Sequence, residues 1–505
     1  MLEQLAGLTV YPRSVTRVDG ATFFLARSPQ GKVLGILGDA AGFEGERQGD
    51  VLLCPLTSAN AATLRVRLPW LRPVPLGFQT SAGFGDRLGL ATPGHVRAVR
   101  AALEMRRWEG RPAPALPAGA SSSIAPIFAQ QSVRENARTG RTPQQVLDDA
   151  TWGLFQEGWR DPWGADADHL KSFTDVDAFV AAGYTFYTID PGDYVDDAAS
   201  TAPPAEVEAK VRSLPWETLE DTLEDMEKRY LDRSFDLEGC RMMIDRPTLW
   251  LAAARYGRAI AHTVQMYRHL ASRMGDHAPS TGSGHSFELE VSVDETEMPT
   301  SLAEHLFIAS ELRRSGVRWV SLAPRFIGRF EKGVDYIGDL TTFSTAFAWH
   351  TVVARALGPY KLSLHSGSDK FSIYPIVARM TEGLVHLKTA GTSYLEALRA
   401  IADTDPTLFR DVLAFAHRRY DEDKATYHVS ASPDKVPLPD TLTDGELTGV
   451  LDLFDARQVL HVTFGSVLER FGSRLKEVLA EHEEAHYAAL ETHFRKHLAP
   501  FAQRA

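Results

Sequence analysis

From Pro75 onward the chain repeats one unit: a short apolar run that ends in polar residues, then a stretch of helical periodicity. The runs are PLGFQT, SIAPIFAQQ, PWGADAD, YTFYTID, SFELEVS, VRWVSLA, YKLSLH and GLVHLK, eight in all. Most lead into segments such as VRAVRAALEM, SLAEHLFIASELRRSG and FSTAFAWHTVVARALG, whose apolar residues recur at i, i+3 or i+4. Parallel strands need crossovers, and helices of this kind supply them. Eight such units predict an α/β chain closed into a (β/α)8 TIM-like barrel with its chemistry at the C-terminal strand ends. A doubly wound open sheet is the alternative arrangement of the same elements.

Around this barrel, expected over 76–405, the sequence places three additions. Residues 1–75 contain GLTVYP, ATFFLA, KVLGILG and ATLRVRL between turn residues, which predicts an N-terminal β-rich cap region. Residues 194–276, after the fourth strand, carry an apolar stripe of Leu219, Leu223, Met226 and Tyr230 and a second helix over Leu249 to Met274. They predict a helical insertion that serves as a lid. Residues 406–505 predict a mainly helical C-terminal extension with one strand-like run, QVLHVTFG, and a final helix marked by Phe471, Leu475, Leu479, Leu490 and Phe494. PAPALPAGASSS and HAPSTGSG read as exposed loops.

A formal net charge of −12 without a dense Lys/Arg run argues against nucleic acid or an anionic membrane as partner, and leaves small molecules. The start, MLEQLAGLTVYPRS, lacks the basic and apolar regions of a secretory signal, and no window is apolar enough to span a membrane. Cys54 and Cys240 are too few for a disulfide framework or a cysteine zinc site, so a cytoplasmic setting is expected.

The strand ends gather candidate site residues: Asp86 and His95, Ser132 and Arg134, Asp168 and His169, Thr188 and Asp193, Glu290, Arg325 and Glu331, then His365, Asp369, Lys370 and Lys388. In SFELEVS, apolar residues alternate with Glu288 and Glu290, so one face of that strand is polar and points into the barrel. A carboxylate there needs a cation, a hydrogen-bond network or a raised pKa, and a structural salt bridge meets that need as well as catalysis does. In Asp168-His169 neighbouring strand residues point to opposite sides, one toward a metal and one toward proton transfer, although the dipeptide alone also reads as a surface turn. His365 has no helical HExxH partner; with His169 and a carboxylate it forms an N/O donor set suited to one divalent ion, Zn, Mn, Ni or Fe(II). AGFGDRLG holds Gly83, Gly85 and Gly89, the last one residue late for GxGxxG, so no nicotinamide is expected.

GFGDRLGLATPGH, GADADHLK, ELEVSVDETEMPT, SLAPRFIGRFEKGVDYIGD, LHSGSDKFSIYP and HLKTAGTSYLEALR together resemble the tagaturonate epimerase family, over roughly residues 75 to 470. Its members are metal-dependent sugar-acid epimerases that interconvert tagaturonate and fructuronate, and some also act on tagatose and fructose. The resemblance implies that Asp168 and Glu290 are the acid/base pair and that His169 and His365 ligate the metal. Glu331 is the third ligand it suggests, with Glu290 itself or Asp335 as alternatives.

The chemistry narrows the route. The stereocentre that separates the two sugar acids is β to both the ketone and the carboxylate, so enolisation cannot invert it. Transient oxidation needs the missing nicotinamide; retro-aldol cleavage and re-addition needs a Lewis acid and a base on each face. The substrate carboxylate calls for a bidentate Arg or a fixed Lys, from Arg134, Arg325, Lys370 or Lys388. Two rivals remain at this level: a barrel glycoside hydrolase pairing Glu290 with Glu331, and a non-catalytic sugar-binding protein.

Overall fold

In the computed structural model, which describes residues 7–108, 124–275 and 286–502, the strands close into a barrel. They are β1 (Ser81–Gly83), β2 (Ala125–Ser132), β3 (Gly164–Leu170), β4 (Phe186–Ile189), β5 (Glu288–Ser292), β6 (Ser321–Ala323), β7 (Lys361–Leu364) and β8 (Val385–Lys388). Each pairs in parallel with its sequence neighbours, and β8 pairs with β1. The outward residues, such as Leu289 and Val291 of β5, are buried under the helices, which is why the strands read as apolar runs.

The first run was expected as a strand and is not one. PLGFQT precedes β1, and Gly77 has φ 71°, a left-handed conformation that interrupts any ladder. Val74, Leu76 and Phe78 pack instead against Ala125, Ile127, Phe186 and Val320 at the strand starts, where they seal the N-terminal floor of the barrel.

Residues 9–54 form a six-stranded antiparallel sheet. ATLRVRL, expected to be a strand there, lies in the helix Ser58–Arg67: Thr57 caps its start, and Ala61, Leu64 and Leu68 are buried at helical spacing. Arg65 Nη1 lies 2.7 Å from Asp148 Oδ1 and Lys32 Nζ 2.5 Å from Gln156 Oε1, so this region docks on the outer helix Pro143–Glu157.

The β4–β5 connection contains the expected helices, the longest Arg246–Met274, and an unexpected hairpin of Ser234–Leu237 with Cys240–Met243. Glu238 and Gly239 both have positive φ, as a tight two-residue hairpin turn requires. Arg246–Met274 packs along Phe173–Ala182 and Leu302–Arg314 on the barrel's outside. No described residue of 194–276 lines the cavity, and the insertion instead contacts the loop after β5, where Asp197 accepts the Glu297 backbone N–H at 2.8 Å.

The described part of the C-terminal extension is mainly helical and holds no strand. QVLHVTFG, expected as a strand, spans the end of Phe454–Val462 and the start of Phe464–Glu481; residues 456–462 are buried on every side, which erases the helical stripe that would have revealed them. The expected final helix is two, Phe464–Glu481 and Glu483–Ala502, broken at His482. PAPALPAGASSS and HAPSTGSG lie outside the described residues. Among the described residues no helix is long and apolar enough to cross a membrane.

Candidate active site and metal centre

The interior of this barrel is charged. Lys388, from β8, is buried, and its Nζ lies 3.0 Å from Asp166 Oδ2, 2.5 Å from Asp168 Oδ1 and 3.0 Å from Glu290 Oε1, and donates to Thr188 Oγ1 at 2.6 Å. Glu290 is fully buried; Ser321 donates to its Oε2 at 2.6 Å and Thr188 to its Oε1 at 3.2 Å. Burial pushes the Glu290 and Asp168 carboxyls up, but Lys388 and the nearby histidines outweigh it and hold both below the usual carboxylate range. The same contacts raise Lys388 above an ordinary lysine against its burial. Both carboxylates are therefore ionised and held in place by one ammonium.

The dipeptide Asp168-His169 escapes strand alternation. His169 has φ 54°, and the β3–β4 register slips there, Tyr187 facing Ala167 while Ile189 faces Leu170. This bulge turns both side chains toward the mouth, where regular alternation would have separated them.

His169 meets His365 from β7's end with ring centroids 4.9 Å apart and planes at 76°. Each ring is oriented by a carboxylate on Nδ1: Asp190 Oδ2 at 3.1 Å for His169 and Asp294 Oδ1 at 3.1 Å for His365. Both Nε2 atoms are thereby left for the site; that of His365 lies 2.6 Å from Glu290 Oε1, and that of His169 3.7 Å from Asp168 Oδ1. Burial opposes charging of the two imidazoles, yet Asp168 and Asp190 raise His169 to about 9, and Asp294 and Glu290 raise His365 to about 10.

Ligand atoms of Asp168, His169 and His365 fall within 4.8 Å of one another. The surrounding charges support a cation there. Asp166, Asp168, Asp190, Glu290 and Asp294 face Lys388, Lys171 and two imidazoles, an excess of one negative charge even with both rings protonated. Two histidines and a carboxylate, each ring held by a second carboxylate, suit a divalent ion. The fit is thus met by donor chemistry and by charge.

This cluster forms the base of a cavity of about 330 Å³, walled by Ser132, Arg134, Asp168, His169, His365 and Lys388 among the expected residues. Thr188 and Glu290 lie in the interior beneath it, fully buried. Ser132 also caps the helix Val133–Thr139, and Arg134 is engaged by Glu295 at 2.8 Å.

The remaining expected residues serve elsewhere. Asp86 accepts from the backbone N–H groups of Gly89 and Ala91, both at 2.7 Å, and shapes a turn. His95 stacks on Phe84 and pairs with Ser393 Oγ at 2.8 Å; burial pushes it down to about 3. Asp193 is a surface partner of Lys171 at 2.8 Å, and Arg325 is absent from the cavity wall. Glu331, expected as third ligand, accepts from Ser430 Oγ at 2.7 Å and Gln458 Nε2 at 2.8 Å, so it ties down the C-terminal extension. The Glu290–Glu331 pair of a glycoside hydrolase is not assembled. Lys370 donates to the carbonyls of Glu331 at 2.8 Å, Val334 at 2.5 Å and Ser368 at 2.9 Å, and Asp369 is buried against His493, His497 and Arg457.

Among the wall residues not foreseen are Gln130, Lys332, Tyr427 and His461. Gln130 Nε2 donates to Asp168 Oδ2 at 3.2 Å. Lys332 adjoins Glu331 in a connection, and Tyr427 and His461 arrive from the C-terminal extension, where counting strand ends does not reach.

Fold and site define a (β/α)8-barrel enzyme that gathers buried carboxylates, imidazoles and a lysine at the C-terminal mouth. The tagaturonate epimerase family model matches residues 11–106 and 113–501. A tagaturonate/fructuronate epimerase of Thermotoga maritima is 41% identical over 503 residues, covering 97% of this chain and 96% of its own. The native crystal structure of a fructuronate-tagaturonate epimerase from Cohnella laeviribosi superposes with a TM-score of 0.88 at 36% identity, over 99% of this chain and 98% of that one. A glycerol complex of the same enzyme superposes equally well, with a TM-score of 0.88. The chain belongs to the tagaturonate epimerase family and is an epimerase.

Proposed function

We propose that the protein interconverts D-tagaturonate and D-fructuronate by retro-aldol cleavage and re-addition, and that it depends on a divalent ion held by Asp168, His169 and His365. Neutral tagatose and fructose carry the same stereocentre relationship and are secondary substrates. When bound, the ion supplies Lewis-acid polarisation of the ketone and stabilisation of the negative charge that cleavage generates.

The arrangement that carries this reading is the Lys388 ammonium, 2.5 Å from Asp168 Oδ1 and 3.0 Å from Glu290 Oε1. It keeps two acids ionised and fixed in one site, as a reaction that must accept a proton from either of two epimers requires. One carboxylate removes the hydroxyl proton at the stereocentre. The bond to the carbon beside the ketone then breaks, its electron pair passes into an enediolate, and the stereocentre becomes an aldehyde. After the aldehyde fragment rotates, the enediolate adds to its other face, and the new alkoxide takes up the proton removed at the start, relayed from the first carboxylate to the one on that side through the Lys388 ammonium that touches both.

Incubating metal-loaded protein with tagaturonate in D2O tests the reading. Fructuronate should form with no deuterium on the inverted carbon, because that C–H bond never breaks. Deuterium at that carbon would sink the retro-aldol route, and absence of fructuronate would sink the assignment of substrate.

A further inference from the structure

The cations of the cavity wall differ in what they already hold. Arg134 is paired with Glu295 at 2.8 Å, Lys171 with Asp193 at 2.8 Å, and Lys388 with three carboxylates. Arg87 gives Nε and Nη2 to Glu135 Oε1, at 2.9 and 2.7 Å. Among the described residues Lys332 is the wall lysine without an acid partner; its Nζ donates at 2.6 Å to the hydroxyl of Ser366, the residue after His365.

Two further donors beside it are unspent. Arg87 Nη1 is buried without a hydrogen-bond partner, its guanidinium packed 3.7 Å over the Phe464 ring, and His461 Nδ1 is buried and equally unpartnered. Both line the same cavity as Lys332. A side chain at Gly391, which has φ 108°, would collide with His461 Nε2 and Arg87 Nη2, so the glycine is what lets these two groups meet. Burial, then Arg87 and Lys332, push His461 well below an ordinary histidine, so its ring is neutral and offers one N–H. Positive charge and unsatisfied donors are thus concentrated on one wall, next to a cluster with excess negative charge. Both unpartnered atoms are closed off from solvent, so Arg87 and His461 favour an anion in the cavity through charge and dipole, and the half-buried Lys332 makes the contact.

We infer that Lys332, backed by Arg87 and His461, is the anchor for the substrate's carboxylate and makes the cavity selective for a sugar acid over the corresponding neutral ketose. This rests on the epimerase reading above and names the part of the site that chooses the substrate. Ser366, with φ 48°, holds the Lys332 ammonium beside the metal-ligand loop, so anchoring the acid also sets the ketone's position relative to His365.

The test compares wild type, Lys332→Met and Lys332→Arg, each metal-loaded, in turnover and calorimetric binding of tagaturonate and of tagatose. Lys332 is half-buried, and melting curves would show whether the variants fold as the wild type does. Lys332→Met is expected to raise KM and Kd for tagaturonate by about ten- to hundredfold, the worth of a charged hydrogen bond, while tagatose is unaffected. Lys332→Arg should recover most of the loss. Equal losses on both sugars, or no loss on either, would overturn the anchor. If wild type binds tagaturonate in a Lys332-dependent manner yet forms no fructuronate, the anchor stands and the epimerase reading falls. If wild type binds neither sugar, both fall.

Discussion

Among the described residues, histidine–carboxylate clusters in two separate places look alike by donor geometry and differ in everything around them. Asp168, His169 and His365 sit at the barrel mouth; Asp369, His493 and His497 join the loop after β7 to the last helix. Asp369 is already neutralised: Arg457 Nη2 lies 2.9 Å from its Oδ2 in a Coulombic rather than aligned contact, and His493 Nε2 lies 2.6 Å from its Oδ1. His497 Nε2 accepts the Asp369 backbone N–H at 2.9 Å, which occupies the lone pair a metal would need. Neither cavity access nor excess negative charge remains there. Three donors within reach do not make a metal site; unbalanced charge and an opening to the solvent do.

The largest expected effects break the first cluster. Glu290→Gln should lower turnover by about 10²- to 10⁴-fold while metal, measured by mass spectrometry, stays bound. His365→Ala and Asp168→Asn should lose both. His493→Ala should leave metal content unchanged. A variant of Glu290 and one of Asp168 that each kept near wild-type turnover would refute the acid/base pair, and metal lost from His493→Ala would erase the contrast.

At the second cluster the expected effect is on stability. Asp369→Asn takes from the buried Arg457 its nearer carboxylate, leaving Glu396 at 3.7 Å, and should destabilise the protein by about 1–3 kcal/mol in chemical denaturation. The lesion should loosen the last helix first, visible as faster amide exchange over residues 483–502. Unchanged denaturation would mean the cluster carries no structural load.

These two regions also divide what could be read from the sequence. The barrel was legible because each buried strand is an apolar run followed by helical spacing, and Glu290 because strict alternation in SFELEVS aims it inward. The polar string after His365 misled. Asp369 and Lys370 satisfy the loop itself, Asp369 at φ 61° and Lys370 by donating to three carbonyls, with burial lowering its ammonium to about 7. A polar turn that binds its own backbone reads like a binding loop. The convergence of Asp168 and His169 depends on one left-handed histidine, for which no residue type gives a signal. His461 lies seventy-three residues beyond the end of the last barrel strand, and only packing brings it to the cavity.

A smaller effect sharpens the metal side. Asp294 and Asp190 touch the ring nitrogens that face away from the site, so Asp294→Asn should weaken metal binding by about 10- to 100-fold and leave the fold intact. Competition with a chelator of known affinity measures this directly. The equivalent change at the other cluster, Glu396→Gln, removes the carboxylate 3.1 Å from His493 Nδ1 and should not alter metal affinity. A shift there comparable to Asp294→Asn would mean that the two clusters are not functionally distinct.

The smallest effect is a change in the slope of stability with pH. Burial, reinforced by His493 and Arg457, pushes His497 down to about 3, so it is neutral in the fold, whereas the unfolded chain takes up a proton as pH falls below about 6.5. Its contribution is therefore complete above 6.5 and drains away between 6.5 and 3. Asp369 acts in a lower window: burial raises it, but Arg457 and His493 hold it well below an ordinary aspartate, so its stabilisation is present above the unfolded chain's 3.8 and is lost only as pH falls further. His497→Gln keeps an acceptor for the Asp369 N–H and removes the titration. Its denaturation midpoint should fall less steeply than the wild type's between pH 6.5 and 4, while the loss below 3.8 persists. Comparing the two chains under identical metal conditions cancels the titrations of the mouth cluster. Parallel curves from pH 7 to 4 would show that His497 is protonated in the fold, and that the second cluster is not the closed, charge-balanced clamp described above.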